Sequence, residues 1–308
     1  MEHRSTQQLL SEGLTHRDLR RSVTVGELVR LRRGSYLSAA PSSPEELHRH
    51  LVEATMPGLD GVVLSHGSAA VLHGLWLPDG PPGLVQVVRP RTSRGGGQRN
   101  GVVHTHTGQL AGSDVMLVDG LAVTTPARTL LDCARGLGFD EAVMMLDAAL
   151  HDPADPEHER AGLRASLEEV SSRLGRVAGV RNARAALAFA DGRAESPLES
   201  RSRIVLWRQG LPTPELQYAV RDQWGHLIAR LDFAWPQQRV YGECDGQVKY
   251  GQLLAPGETA SHVVMREKHR DNQLADRGWR QVRWMEADLA RPRLLDARIR
   301  RALAGAAA

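Results

Sequence analysis

The stretch LIARLDFAWPQQRVYGECD, residues 227–245, limits the fold more than any other part of this 308-residue chain. Two runs rich in apolar and aromatic residues flank PQQ, and this pattern predicts two antiparallel strands joined by a short loop. If residues 236–239 form the loop, Asp232 faces Glu243, and Asp245 shares their side of the sheet. The sequence therefore predicts three carboxylates on one face of a β-hairpin.

This arrangement of acids has two interpretations. Like charges at opposed positions of a strand pair destabilise the sheet, and a divalent cation removes the conflict because Mg²⁺ prefers hard carboxylate oxygens. Asp232, Glu243 and Asp245 are then predicted metal ligands, with Mg²⁺ or Mn²⁺ as the cofactor. Alternatively, the acids face solvent or pair with nearby arginines such as Arg230 and Arg239.

Segments on both sides of the hairpin add candidate residues. In ESPLESR, Glu199 lies three residues after Ser196 with a proline between them, which is typical of a capping box. Glu199 is therefore either a helix cap or a site carboxylate. The segment MREKHRDNQLADRGWRQVRW predicts a helix, a turn at Gly278 and a strand over 279–285, and the helix brings cations such as Lys268 close in sequence to the acids.

Residues 195–290, which contain these pieces, resemble the Vsr-like branch of the PD-(D/E)XK nuclease superfamily. The resemblance implies a mixed sheet flanked by helices and a metal-dependent endonuclease that cleaves DNA phosphodiester bonds. It also implies that Glu199, Asp232 and Glu243 form the acidic catalytic set.

The sequence departs from the family pattern at the cationic position. Asp245 stands where the general E-x-K motif has lysine, and Lys249 stands where the D-G-x-x-H motif of the branch has histidine. Lys249 or Lys268 would then supply the catalytic cation from a displaced position. The resemblance therefore implies the fold more directly than it implies activity.

The first 40 residues predict a small basic unit. Thr15 is a suitable N-cap for a short helix, and GELVRLRRGSYL then predicts two strands joined by a turn at Gly34. Helix followed by β-wing is the outline of a winged helix-turn-helix, although a solvated arginine face on a capping subdomain is the alternative. The predicted DNA contacts are Arg17, Arg20, Arg21, Arg32 and Arg33.

Residues 1–150 resemble the AbiEi-type antitoxin family of transcriptional regulators. The segments that carry the resemblance are RDLRRSV…GELVRLRRGSYL, LSHGSAAVLHGL and GLAVTTPARTLLDCAR, and in the last of these Thr125 is a predicted N-cap. The first segment implies DNA binding, and the other two resemble cores that define a fold.

Histidines and cysteines offer further candidates. His104 and His106 share one face of a predicted strand, and with His66 and His73 they form either a metal site or a set of ordinary structural histidines. Cys244 points away from the acids of its own strand, so we expect a core residue rather than a nucleophile.

Composition narrows the class of protein further. The net charge is +3, and arginine, whose planar fork suits phosphate, far outnumbers lysine. Two cysteines are too few for a disulfide framework, which favours the cytoplasm. We expect no membrane span, because no apolar run reaches the necessary length.

Together these patterns predict an α/β (α+β) protein. Its predicted parts are a winged helix-turn-helix unit over 1–40, a mixed α/β domain over 41–150, a helical linker over 151–192 and a restriction-endonuclease-like mixed sheet flanked by helices over 193–308. Two functions follow. One is a DNA-binding, metal-dependent endonuclease, and the other is a non-catalytic AbiEi-type regulator or antitoxin that uses a degenerate nuclease fold as a scaffold. The expected partner is DNA, and a toxin or a repair protein is the candidate for a second one.

Overall fold

A computed structural model describes residues 3–90, 98–245 and 260–305. Within these ranges the helices are α1 Thr6–Ser11, α2 His16–Val25, α3 Pro44–Thr55, α4 His66–Leu72, α5 Pro126–Ala134, α6 Phe139–Leu150, α7 Ala161–Arg173, α8 Val180–Phe189, α9 Pro197–Arg208, α10 Ala260–Asp276, α11 Glu286–Leu289 and α12 Pro292–Ala304. The strands are β1 His3–Ser5, β2 Val29–Arg32, β3 Ser35–Leu37, β4 Val63–Leu64, β5 Val85–Pro90, β6 Gln98–Arg99, β7 Val103–Gly108, β8 Val115–Val118, β9 Leu121–Thr124, β10 Glu215–Arg221, β11 Leu227–Trp235, β12 Val240–Asp245 and β13 Arg280–Met285. The protein is thus a mixed α/β protein with three sheets.

The N-terminal part has the predicted helix, turn and wing, with two additional elements. Strand β1 pairs with β3, so the sheet order is β1-β3-β2, and α1 precedes α2 as the first helix of a helix-turn-helix. Sequence patterning missed β1 and α1 because each is short. Leu9, Leu19, Leu28 and Tyr36 form the small core that holds the two helices on the wing.

The second sheet has six strands in the order β6-β7-β5-β4-β9-β8. It is mixed, because β5 runs parallel to β7 and β4 parallel to β9, whereas the other pairs are antiparallel. The predicted Thr125 N-cap is confirmed, since its side chain accepts the backbone N–H of Arg128 and a proline occupies the first turn of α5. Valines on the inner face of the sheet form the core beneath α3 and α4.

The third sheet has the order β10-β11-β12-β13, and β12 and β13 are parallel. The hairpin has the register that the sequence predicts: Phe233 pairs with Gly242 and Trp235 with Val240, around a short 3-10 turn over Pro236–Gln238. Asp232 and Glu243 are the next residue on each strand beyond the last pair of this ladder. One face of the sheet carries Phe233, Cys244 and Trp284 into a buried core with α9 and α12, so the predicted core position of Cys244 is confirmed.

The chain divides into two compact units that do not follow the predicted ranges 41–150, 151–192 and 193–308. One unit contains residues 1–145 and 165–185, and the other contains 146–164 and 186–308. The physical reason is a set of polar contacts that the sequence does not reveal. The guanidinium of Arg173 pairs with Asp114, and Asn182 donates to the backbone carbonyls of Ala134 and Leu137.

None of the helices in the described ranges is long and apolar enough to cross a membrane.

Candidate nucleic-acid interface and acidic hairpin

Helix α2 presents a row of exposed arginines. Its N-terminus is fixed by a capping box, in which the Thr15 hydroxyl accepts the backbone N–H of Asp18 and the Asp18 carboxylate accepts the backbone N–H of Thr15. The Thr15 hydroxyl also donates to the Asp18 carboxylate at 2.6 Å, and this bond, with the one from the Thr15 backbone N–H, holds the pKa of Asp18 below its usual value. Leu19 is buried and anchors the opposite face of the helix. The arginines left facing solvent are Arg17, Arg20 and Arg21.

The wing adds two exposed arginines and one that is tied to the protein. Arg30 and Arg33 are exposed, and like the arginines of α2 they form no ion pair with any residue in the described ranges. The Nε–H of Arg32 instead donates to the backbone carbonyl of Ala54, at 2.7 Å. This bond gives Arg32 a structural contact, because it attaches the wing to the end of α3.

A hollow of about 350 Å³ lies beside the wing. Its walls include Arg30, Arg32 and Arg33 on one side and Leu51, Gly101 and Val102 on the other. The arginines give the hollow a positive wall without a compensating acid among its lining residues. Such a surface attracts anionic groups, including the phosphates of nucleic acid.

In the C-terminal unit, Glu243 is compensated by cations. The carboxylate is buried and accepts hydrogen bonds from Arg270 at 2.7 Å and from Gln281 at 2.8 Å. It also pairs with Arg283 at 3.0 Å, and Asp271 contacts both arginines. Pairing with arginines was one of the two interpretations of the acids, and for Glu243 it describes the observed contacts, although the arginines come from α10 and β13 rather than from the hairpin.

Glu199 acts as a helix cap. The backbone N–H of Glu199 donates to the Ser196 hydroxyl, while its own carboxylate accepts the Ser196 hydroxyl and the backbone N–H of Glu195. Gln217 donates to the same carboxylate at 3.1 Å, from a residue with φ of 50°. These contacts give Glu199 a complete structural role, while its use as a site carboxylate stays a prediction.

The other predicted site residues are more dispersed. Asp232 is half-buried on β11, Asp245 is exposed at the end of β12, and Lys268 is exposed on α10. Lys249 lies outside the described residues. Within the described ranges, the three hairpin acids do not bring their carboxylate oxygens together as a three-ligand group. That Asp232 and Glu243 share one cation stays a prediction.

Three of the four predicted histidines form a stack. The ring of His66 lies 3.7 Å from that of His106, and His104 lies 3.9 Å from His106, measured between ring centroids. Burial lowers the pKa of His66 to about 4 and that of His106 to about 3. The fourth ring, His73, contacts the backbone carbonyl of Thr124. In the described part of the chain these histidines form no three-ligand group.

A buried network of ion pairs in the unit formed by residues 1–145 and 165–185 was not predicted from the sequence. Arg128 donates to Asp114 at 2.9 Å and to Asp132 at 2.8 Å, and all three side chains are almost completely buried. Arg135 and Arg173 extend the network from its edge. It lies beside a cavity of about 700 Å³. The spacing of Arg128 and Asp132 on one helix face was the signal available in the sequence, but their burial was not.

Comparison with known proteins adds one family and two relatives. Residues 61–187 match the family model of the AbiEi antitoxin C-terminal domain, so this part of the chain is AbiEi-like. The uncharacterized proteins MT2308 and Rv2248 of Mycobacterium tuberculosis are each 37% identical to the chain over 196 residues. These alignments span 63% of this chain and 66% of the length of each relative.

The chain is also similar to one solved structure, that of the RV2827C protein from Mycobacterium tuberculosis. The match has 18% sequence identity and a TM-score of 0.36, and it covers 72% of this chain and 84% of the other.

Proposed function

We propose that this protein is a DNA-binding regulator of the antitoxin type and that its N-terminal winged unit makes the DNA contacts. The observation that carries the proposal is the set of exposed arginines on α2 and the wing, none of which is neutralised by an acid in the described ranges. The AbiEi match of residues 61–187 supports it, because antitoxins of this kind are regulators.

The positions of these arginines suit the two surfaces that a winged unit offers to a duplex. In a helix-turn-helix the second helix enters the major groove, and here the second helix is α2, with Arg17, Arg20 and Arg21 exposed. Arg33 lies at the turn of the wing, where it can reach a neighbouring phosphate. Arginine suits this task because its planar fork binds phosphate oxygens in pairs.

The test is the salt dependence of DNA binding. The double variant Arg20→Ala/Arg21→Ala should bind every duplex more weakly than the wild type. Its log–log salt slope should be shallower by about 0.9 for each phosphate that the variant no longer neutralises. Arg160→Ala/Arg181→Ala removes the same charge from two other exposed positions and should leave the slope unchanged. Equal slopes for wild type and Arg20→Ala/Arg21→Ala would exclude α2 as the DNA-binding helix.

Arg32→Ala separates a phosphate contact from a structural one. Because Arg32 donates to the carbonyl of Ala54, the substitution should lower the stability of the N-terminal winged unit. DNA affinity should then fall because the wing is no longer fully folded. At a temperature where the variant is folded, its salt slope should equal that of the wild type. A shallower slope would instead assign Arg32 the phosphate contact that the sequence predicts.

A metal-dependent endonuclease is the second candidate. It is favoured by the order α9, β10, β11, β12, α10, β13 with β12 and β13 parallel, and by the register that brings Asp232 opposite Glu243. The arginine contacts of Glu243 favour the regulator. In the endonuclease, Mg²⁺ or Mn²⁺ would lie at Asp232 and Glu243 and activate water for attack on phosphorus.

Supercoiled plasmid with Mg²⁺ or Mn²⁺ distinguishes the two functions. An endonuclease should nick the plasmid, and Asp232→Asn should abolish nicking while duplex binding persists. A regulator should bind the plasmid without metal-dependent cleavage, and it should retain a protein partner, the toxin, when the two are expressed together.

A further inference from the structure

Three potential metal ligands meet between the first strand and α3. His3 is on β1, and His50 and Glu53 are one turn apart on α3. The distance from His3 Nε2 to His50 Nδ1 is 3.2 Å, that from His3 Nε2 to Glu53 Oε2 is 3.4 Å, and that from His50 Nδ1 to Glu53 Oε2 is 3.1 Å. The three atoms therefore form a nearly equilateral triangle, and they are the single group of this kind in the described ranges.

Hydrogen bonds alone do not account for this triangle. Each side of it needs one proton between its two atoms, but an ionised glutamate supplies none and each ring nitrogen supplies at most one. Two protons can satisfy two sides only. The third side then holds no hydrogen bond: either two lone pairs lie within 3.4 Å of each other, or both N–H groups converge on the Glu53 carboxylate.

A central cation would bind all three atoms at once. In tetrahedral Zn²⁺ sites the bonds to histidine nitrogen and carboxylate oxygen are about 2.0–2.2 Å long, which places neighbouring ligand atoms about 3.3 Å apart. The observed distances of 3.1, 3.2 and 3.4 Å match this spacing. Imidazole nitrogens favour Zn²⁺ or Co²⁺ over Mg²⁺ and Ca²⁺, which prefer oxygen ligands.

We propose that His3, His50 and Glu53 bind one divalent transition-metal ion of the Zn²⁺ class, with water in the fourth position. Glu46 supports the arrangement from outside. Its Oε1 lies 3.9 Å from Nε2 of His50, the ring nitrogen that faces away from the site, so it adds negative charge beside the site without a hydrogen bond to the ring. The same carboxylate is anchored by the backbone N–H and hydroxyl of Ser42.

The site joins elements that are far apart in sequence. A metal ion here would fix β1 to α3, and α3 already accepts the Arg32 bond from the wing at Ala54. Two attachments would then hold the winged unit against one helix. This inference does not depend on DNA binding, since metal affinity is measured without DNA.

The test uses the full-length, untagged chain with Co²⁺ as a spectroscopic probe and Zn²⁺ as the stabilising ion. Wild-type protein should bind one Co²⁺ with the visible absorption of a tetrahedral site, and Zn²⁺ should raise its melting temperature. Loss of the hydrogen-bonding partner of a metal ligand costs about 10-fold to 100-fold in affinity, and loss of a ligand should cost at least as much. His50→Gln and Glu53→Gln should therefore lose both responses.

His158→Gln is the matched control. His158 also pairs with a carboxylate, Asp155, at 3.0 Å, but that pair is exposed and has no third ligand in the described part of the chain. The control should keep the wild-type Co²⁺ spectrum and the Zn²⁺ shift. Because Glu53 is exposed, Glu53→Gln should fold normally and decides the outcome if His50→Gln does not fold. The proposal is overturned if wild-type protein binds no Co²⁺, if folded Glu53→Gln binds it as wild type does, or if His158→Gln loses it.

Discussion

The charge environment of Glu243 in the folded protein is the opposite of the one that the sequence predicts. Its place opposite Asp232 predicts repulsion that a metal ion would relieve. In the folded chain, Arg270 and Arg283 supply positive charge at 2.7 and 3.0 Å. The residue is therefore stabilised by cations from α10 and β13, and its contribution to folding should be favourable without metal.

Replacing Glu243 by glutamine should consequently destabilise the protein. The substitution leaves two arginines without their common partner, and loss of hydrogen bonds to charged groups costs about 2 kcal/mol. Asp245→Asn, at an exposed position on the same strand, should change the free energy of unfolding by less than about 0.5 kcal/mol. Urea denaturation measures both. An unchanged or higher midpoint for Glu243→Gln would instead indicate that the hairpin acids repel one another and need a metal ion to neutralise them.

The stack of histidines depends on how two secondary-structure elements meet. His104 and His106 come from β7, and His66 begins α4 with φ of 50°. The Nε2 atom of His106 is buried and has no hydrogen-bond partner in the described part of the chain. Around it lie His66 and His104, with Arg99 and Arg135 further away, and burial followed by these charges lowers the pKa of His106.

This stack, together with the buried His48, predicts a pH dependence of stability. Burial lowers the pKa of His48 and His66 to about 4 and that of His106 to about 3, whereas the unfolded value is about 6.5. Below pH 6.5 the unfolded chain binds more protons than the native one. Stability is therefore fully present above about pH 6.5 and is lost progressively as the pH falls toward the native pKa values.

His106→Phe tests this dependence because phenylalanine keeps an aromatic ring in the stack but takes up no proton. Between roughly pH 7.5 and pH 5, the fall in urea midpoint should become smaller, since one of the histidines that resist protonation in the native protein is removed. His16→Gln, at an exposed position, should leave the fall unchanged. An identical pH dependence in His106→Phe would mean that His106 binds its proton equally well in the native and unfolded proteins.

On the scale of the whole molecule, the chain passes between its two compact units more than once. Residues 165–185 return to the unit formed by residues 1–145. There, Arg173 pairs with the buried Asp114, and Arg135 donates to the backbone carbonyl of Ala178. The AbiEi-like match ends at residue 187 and so contains this return segment.

The division predicts which truncation folds. A fragment of residues 1–150 lacks the return segment and should be less stable than a fragment of residues 1–190 by at least about 2 kcal/mol, because buried hydrogen-bonding groups lose their partners. Urea denaturation followed by circular dichroism measures the difference. Equal midpoints would show that residues 165–185 contribute nothing to this unit and that the predicted boundary at 150 is sufficient.

The sequence by itself determined the local features: the Thr15 and Thr125 caps, the wing turn at Gly34 and the hairpin register that opposes Asp232 and Glu243. Each depends on residues within a few positions of one another, where steric preference and strand alternation decide the outcome.

Only the tertiary structure decided which charges are neutralised. Arg270 and Arg283 reach Glu243, and Arg32 reaches Ala54, across 22 to 40 residues of chain. The triangle of His3, His50 and Glu53 likewise joins positions 47 residues apart. Residue spacing in the sequence cannot predict such contacts, because they form only when separate secondary-structure elements pack against each other.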